Sequence, residues 1–313
     1  MIIGKNDCGQ RADKFIGKAV PLLPQALMYK YFRKKRIKLN GGRCEPSAKL
    51  AEGDVISLYI NDEFIGGANK TETDLSAPAE LSVVYEDENI ILIDKPAGLV
   101  VHDDNEGTAD TLVGRLKSYL IEKGEYIPER EQSFAPALCN RLDRNTQGIV
   151  IAAKNAESLR VLNSAVKNRD IEKRYLCVCV GRPPKDHDIL TAYIFKNSSK
   201  NTVIVSGRKT PENRTAVTEY RVLKTNGKLS LLEINLHTGR THQIRAHLAY
   251  IGCPVLGDGK YGINSLNREY KIKVQALCAY KLRFKDSFGS EGLEYLRGKE
   301  FVSGKPWFDG KFL

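Results

Sequence analysis

No stretch of this 313-residue chain approaches the run of about 18 apolar residues that a membrane-spanning helix needs. The opening Met1-Ile2-Ile3-Gly4-Lys5 lacks the basic-then-apolar order of a secretory signal, so a cytoplasmic location is expected. The seven cysteines are scattered, and Cys177 and Cys179 stand only one residue apart. That spacing fits neither a zinc knuckle nor a small disulfide framework, and free thiols in a reducing compartment follow. There is no phosphate-binding glycine loop, no dinucleotide fingerprint and no regular strand–helix alternation, which sets aside the nucleotide-binding folds. Acidic residues are the minority: 38 Asp and Glu face 49 Lys and Arg, a net charge of +11. Such a field favours polyanions, nucleic acid first among them.

What the chain does contain is organised around Cys139-Asn140-Arg141-Leu142-Asp143-Arg144-Asn145-Thr146-Gln147-Gly148, which runs into Ile149-Val150-Ile151-Ala152-Ala153-Lys154. The second part is apolar and β-branched, so it predicts a buried strand. The first is a polar loop at the strand's entrance, with Asp143 between Arg141 and Arg144. Neighbouring positive charge favours the ionised form of a carboxylate. Held on a braced loop, it can serve as nucleophile or base. Alone, the trio would read as a surface ion pair.

Length predicts one large domain with a small one, or two similar ones, and the hydrophobic fraction of 42% is ordinary for a globular protein. The small unit spans 1–62. Helices are expected over Arg11 to Val20 and Pro24 to Arg36. A strand Ile37–Asn40 turns at Gly41-Gly42, and another runs from Asp54 to Asn61. Arg11, Lys30, Arg33, Lys34, Lys35, Arg36, Lys38 and Arg43 give it a basic face interleaved with Tyr29, Tyr31 and Phe32, suited to phosphates of structured RNA. Residues 63–79, rich in Gly, Ser, Thr and Ala, predict a flexible linker.

From 80 to 313 the pattern is α+β. Strands are expected at Leu81–Tyr85, Ile90–Asp94, Lys173–Val180, Ile189–Ile194, Thr202–Val205, Ala216–Leu223 and Leu229–His237, with extended chain at Leu99–His102. Helices are expected over Thr108–Gly124, Ala156–Lys167 and, capped by Thr241 or a neighbour, on to about Ile251. Such spacing argues for a mostly antiparallel mixed sheet with flanking helices. In His237-Thr238-Gly239-Arg240-Thr241-His242-Gln243-Ile244-Arg245-Ala246-His247 the histidines fall five apart. That does not stack them on one helical face, and no acidic or cysteine ligand accompanies them, so no metal is expected.

Arg11-Ala12-Asp13-Lys14-Phe15, the basic helix and Ile37–Gly41 together resemble the alpha-L RNA-binding domain of a ribosomal protein and several RNA-modifying enzymes. Lys95-Pro96-Ala97-Gly98-Leu99-Val100-Val101-His102, Arg141-Leu142-Asp143, Lys173-Arg174-Tyr175-Leu176 and Thr238 to His247 resemble, in order, the RluA-type family of RNA pseudouridine synthases. The likeness runs from about Glu80 to Phe284, roughly two thirds of the chain. It implies the pseudouridine synthase fold and a cofactor-free enzyme that isomerises uridine to pseudouridine in structured RNA. Ribosomal RNA of the large subunit is favoured over transfer RNA, and the chain is expected to act as a monomer. It further implies Asp143 as the catalytic aspartate, Tyr175 as the tyrosine that packs on the base and assists proton removal from C5, and Arg245 as the arginine paired with Asp143. A bidentate Arg245–Asp143 pair would orient the carboxylate. Arg141, Arg144, Arg240 and His242 join the expected RNA contacts. The chain departs from the family at Asn140, Gln147 and Cys278, where His, Ser and His are usual, and these positions bear on RNA placement. The tail 286–313, with Trp307, matches no motif. Two rivals are a non-catalytic RNA-binding or ribosome-assembly protein on the same fold, and a nucleoside hydrolase, which the basic N-terminal unit disfavours.

Overall fold

A computed structural model describes residues 1–65, 77–103, 108–197, 202–289 and 292–313. Residues 66–76 of the expected linker therefore lie outside the described residues. In the N-terminal unit, α1 (Ala12–Ala19) and α2 (Gln25–Arg33) pack on a three-stranded antiparallel sheet. Its strands are β1 (Ile37–Leu39), β2 (Gly42–Arg43) and β3 (Ile56–Leu58), in the order β2-β1-β3. Phe15, Ile16, Phe32, Ile37 and Ile56 form its core. Asn40 and Gly41 both take positive φ, 50° and 77°, as a tight two-residue hairpin turn requires. α2 ends three residues short of Arg36, because Lys35 adopts the left-handed conformation at φ 56° and turns the chain away. The unit rests on the rest of the molecule through polar contacts. Buried Asp7 accepts from Ser133 (2.5 Å), Asn6 bonds Glu131 and the Ala156 N–H, and Arg160 donates to the Cys8 carbonyl.

The main sheet opens with β4 (Val83–Glu86) and β5 (Ile90–Lys95). Then come α3 (Leu112–Glu122), β6 (Ala137–Leu138), β7 (Gln147–Ala153), α4 (Ala156–Asn168) and β8 (Ile171–Val180). A meander follows, β9 (His187–Asn197), β10 (Thr202–Ser206), β11 (Arg214–Thr225) and β12 (Leu229–Leu236). α5 (Gln243–Tyr250), α6 (Asn264–Glu269), β13 (Leu277–Phe284) and β14 (Glu300–Val302) complete the chain. The strand order is β10-β9-β11-β12-β8-β13-β7-β5-β4, with β6 beside β7 and β14 beside β13. The pairing of β7 with β13 is parallel and the other ladders are antiparallel, which makes the sheet mixed.

β5 and β7 are buried along nearly their whole length, which explains why both read as unbroken apolar runs rather than alternating ones. One face carries α3 and α5, whose Leu112, Leu116, Ile244 and Leu248 share a core with Ile91, Val150, Tyr175 and Cys177. The other carries α4, with Leu162 and Ala165 against Ile149, Ile151 and Phe284. Thr111 and Asn155 cap α3 and α4 through their side chains. The expected extended chain at Leu99–His102 is reduced to a single bridge, Val100 to Thr111.

Gly148 sits where β7 meets β13. Its φ is 121°, and a Cβ there would fall 2.3 Å from the Ala279 carbonyl oxygen, so only glycine permits the parallel contact. The tail is part of the fold. Ser303 donates its N–H to the Tyr280 carbonyl, Gly304 to the Asp94 carboxylate and Trp307 to the Gln147 side chain. Cys278, fully buried, lies 3.7 Å from the Ser303 hydroxyl. Two of the three departures from the family pattern, Gln147 and Cys278, thus contact the C-terminal segment. The third, Asn140, accepts the Ile151 N–H on β7 and also lines the cavity described next.

Candidate active site

The loop before β7 is pinned from three sides. Thr146 N–H closes a turn onto the Asp143 carbonyl at 3.0 Å. The Thr146 hydroxyl accepts from buried Gln275 at 2.6 Å. The Arg144 carbonyl receives both the Gly98 N–H and the Lys95 ammonium, each at 2.9 Å. Lys95 has no exposed surface, and its Nζ also donates to the Pro96 and Leu99 carbonyls at 2.8 Å. Burial pushes the Lys95 pKa down to about 7, yet three carbonyls take all three ammonium protons, so the geometry favours the charged form.

The opposite wall comes from β12 and α5. The helix is capped by the neighbour of Thr241, His242, at φ 52°, and no side chain caps the helix there. The turn is closed instead by Gln243, whose Oε1 accepts from the Thr238 hydroxyl and the Arg240 N–H and whose Nε2 donates to Val217 and Thr218. The three histidines diverge. His237 meets Glu219, His242 meets the Tyr261 hydroxyl, and His247 meets Thr218. Among the described residues no group of three His, Cys, Asp or Glu is placed to hold a metal ion.

Asp143 and Arg245, 102 residues apart, meet here: Arg245 Nη1 donates to Asp143 Oδ2 at 2.7 Å. The expected bidentate pair is with a different carboxylate. Arg245 Nε and Nη2 grip the two oxygens of Asp258 at 2.6 and 2.9 Å, leaving Asp143 a single bond. Asp258 is fully buried, and its Oδ1 also accepts the Lys260 and Tyr261 N–H groups. Burial works to raise its pKa, but the Arg245 guanidinium holds it below the ordinary value. The Tyr261 ring lies under the guanidinium at 5.3 Å. Sequence reasoning missed Asp258 because an acid between Gly257 and Gly259 reads as a surface turn. The signal was Gly257, at φ 80°, where a Cβ would fall 2.2 Å from the Val274 carbonyl oxygen.

These elements surround a cavity of about 650 Å³ whose walls include Asp143, Tyr175 and Arg245. Burial, the Asp143 charge and Cys278 raise the Tyr175 pKa, so its ring faces the cavity as a neutral phenol rather than a ready base. Burial lowers the pKa of His242, 3.9 Å from Asp143, which keeps the imidazole neutral and makes it a poor partner for phosphate. Arg141 and Arg240 line the cavity as expected. Arg144 instead turns to the Gly98 carbonyl. Among the described residues Asp143 is the only carboxylate on the wall, against the cations Arg141, Lys167, Arg169, Lys173, Arg240 and Arg245. Lys167, Arg169 and Lys173 were not anticipated. In the N-terminal unit Lys30, Arg33, Lys34, Lys35 and Arg36 are exposed together. Arg11 is committed to Asp13 and Arg43 to Glu45, while Lys38 lies over Tyr59.

Residues 89–250 match the model of the RNA pseudouridylate synthase family. An RNA pseudouridine synthase of Mycoplasma capricolum is 31% identical over 310 residues, covering 98% of this chain and 97% of its own length. The ribosomal large subunit pseudouridine synthase C of Rickettsia bellii is 34% identical, covering 85% of this chain and 87% of its own length. Among solved structures, human RNA pseudouridylate synthase domain containing 1 superposes with a TM-score of 0.57 at 24% identity, over 73% of this chain and 84% of its own. That likeness bears on the fold alone.

Proposed function

Since the chain belongs to the RNA pseudouridylate synthase family and is an isomerase, we propose that Asp143 is its nucleophile and large-subunit ribosomal RNA its substrate. The observation that carries this reading is one carboxylate, held by Arg245, in a cavity whose other charged wall residues, among those described, are Lys and Arg. The cations suit a polyanion, and the carboxylate suits a step in which a group attacks and later leaves. Asp143 attacks, the bond from uracil N1 to the ribose carbon is broken, and the base turns. C5 then takes over the ribose carbon as the carboxylate departs, and the C5 proton is lost while N1 takes one up, so the product is an isomer. Attack on the ribose and attack on the base employ the same carboxylate. A paired uridine is out of reach, so it is extruded, and Tyr175 offers an aromatic face for it. Arg245 orients Asp143 and neutralises it until attack.

In this reading residues 1–62 form an alpha-L type domain that adds RNA affinity through Lys30 and Arg33–Arg36, and residues 80–313 form the catalytic domain. Arg141 and Arg240 contact the RNA at the cavity. The enzyme works in the cytoplasm as a monomer and needs no cofactor. The ribosomal target is favoured by the relatives named for the large subunit. The test is a pseudouridine map of total RNA from cells with and without the gene, complemented by wild type or Asp143→Asn. Defined sites should vanish and return only with wild type, while Asp143→Asn keeps its RNA affinity. An Asp143→Asn variant with near-normal turnover refutes the nucleophile. No lost site with RNA still bound points to the non-catalytic alternative.

A further inference from the structure

One end of the cavity is made where α4 turns into β8. Lys167 lies in the last turn of α4, Arg169 caps it, and Lys173 stands two residues before Tyr175 on β8, on the same side of the strand. All three line the same cavity as Asp143. Asp170 and Glu172, interleaved with them in sequence, are not part of the wall. The cations are therefore sorted inward. None of the three makes an ion pair with a described carboxylate, whereas their neighbour Arg174 pairs with Glu233 at 3.1 Å. Lys173 is half-buried, and burial alone lowers its pKa. A half-buried ammonium without an anion gains when a ligand supplies one.

Arg169 adds a second observation. It closes α4 in the left-handed conformation, φ 66° and ψ 34°, a position where glycine is the usual occupant. A long cationic side chain is kept there against the backbone's preference. The same cavity is also lined by Gly239 to Arg245, which brings Arg240 and Arg245. A strand entering the cavity would thus meet cations from two separate segments of its wall.

We propose that Lys167, Arg169 and Lys173 form a subsite for the phosphodiester backbone of the RNA strand flanking the extruded uridine. The proposal rests on the functional reading above and adds which part of the substrate this end of the cavity holds. The subsite fixes the strand, and the chemistry stays with Asp143, so the three residues are positioning residues.

The test uses the full-length protein and total RNA from cells lacking the gene, with Lys167→Gln/Arg169→Gly and Lys173→Met as variants. Glycine relieves the left-handed residue, so the double variant should unfold no earlier than wild type. Turnover at saturation should stay within about twofold while KM rises about tenfold or more, the signature of lost uniform binding. The slope of log affinity against log salt should become shallower by about 1.4 for the double variant, at about 0.7 per single-strand phosphate. Lys173→Arg should restore most of what Lys173→Met loses. Unchanged KM and salt slope in both variants overturn the subsite. A wild type that binds this RNA without converting it overturns the functional reading instead, and the salt slope of binding still decides the subsite.

Discussion

Asp258→Asn perturbs the Arg245 fork while sparing the turn around it. Asparagine keeps an oxygen for the Lys260 and Tyr261 N–H groups, which Asp258 Oδ1 now accepts at 2.8 and 3.1 Å. Its amide nitrogen then faces Arg245 Nε, donor against donor, where the carboxylate accepts at 2.6 Å. Arg245 loses the Nε bond and its buried counter-charge, keeping only Nη2 on the retained oxygen and Nη1 on Asp143, and its side chain is only 7% exposed. Removing one member of a buried ion pair costs about 3–5 kcal/mol. Asp143 remains as partial compensation, so the lower end, about 3 kcal/mol, is expected. Asp143 depends on the same guanidinium for its orientation, and a misplacement of about 1 Å at a reacting group costs about 100-fold in rate. We predict a stability loss near 3 kcal/mol together with a fall of about 100-fold in kcat and little change in KM. Urea unfolding followed by the single tryptophan, Trp307, and single-turnover kinetics under conditions where the variant is folded read the two effects separately. Stability within about 1 kcal/mol and kcat within about threefold of wild type would show that the fork neither supports the fold nor aims Asp143.

Lys95→Met should be destabilising by about 3 kcal/mol or more, because it leaves the Pro96, Leu99 and Arg144 carbonyls without their shared donor, at about 1–3 kcal/mol for each one left unsatisfied. Equilibrium unfolding checks it, and a loss under about 1 kcal/mol would mean that water replaces the ammonium. Acid should weaken the fold through His247, whose pKa burial holds at about 4 against 6.5 for the free group. Between those values the folded imidazole is neutral and the unfolded one protonated, so this contribution is complete above pH 6.5 and drains away as pH falls to about 4, by about 3 kcal/mol in all. Glu219, held at about 2 first by its hydrogen bond from His187, keeps its full stabilising contribution down to its free value of 4.5 and loses it only below that. Urea midpoints at pH 7, 6 and 5 should therefore fall less steeply in His247→Gln, and parallel slopes would remove His247 from the account.

The elements that could be read in the sequence were those whose burial or capping is local. β7 was visible as an apolar run because both its faces are covered, and α4 was visible because Leu159, Leu162 and Val166 recur on the face it buries. Asp143 and Arg245 were found through ordered motifs. The fork to Asp258 was not, since two side chains 13 positions apart, one in a helix and one in a glycine turn, carry no periodic signal. Lys167, Arg169 and Lys173 were invisible for a similar reason: a cation's direction depends on which way the α4–β8 turn faces, and composition does not encode it. The packing of the tail also escaped notice. Gln147 and Cys278 read as departures from a pattern until the Trp307 N–H and the Ser303 hydroxyl showed what they meet.

β13 separates β7 from β8, although 96 residues of chain lie between Val180 at the end of β8 and Leu277 at the start of β13. The Asp143 loop leads into β7, and Tyr175 stands on β8. The two walls are thus two strand spacings apart, about 10 Å at about 4.8 Å each. The width of the cavity is accordingly a count of backbones. Side-chain substitutions can alter its lining and charge, whereas its gauge changes only if residues 277–284 leave the sheet.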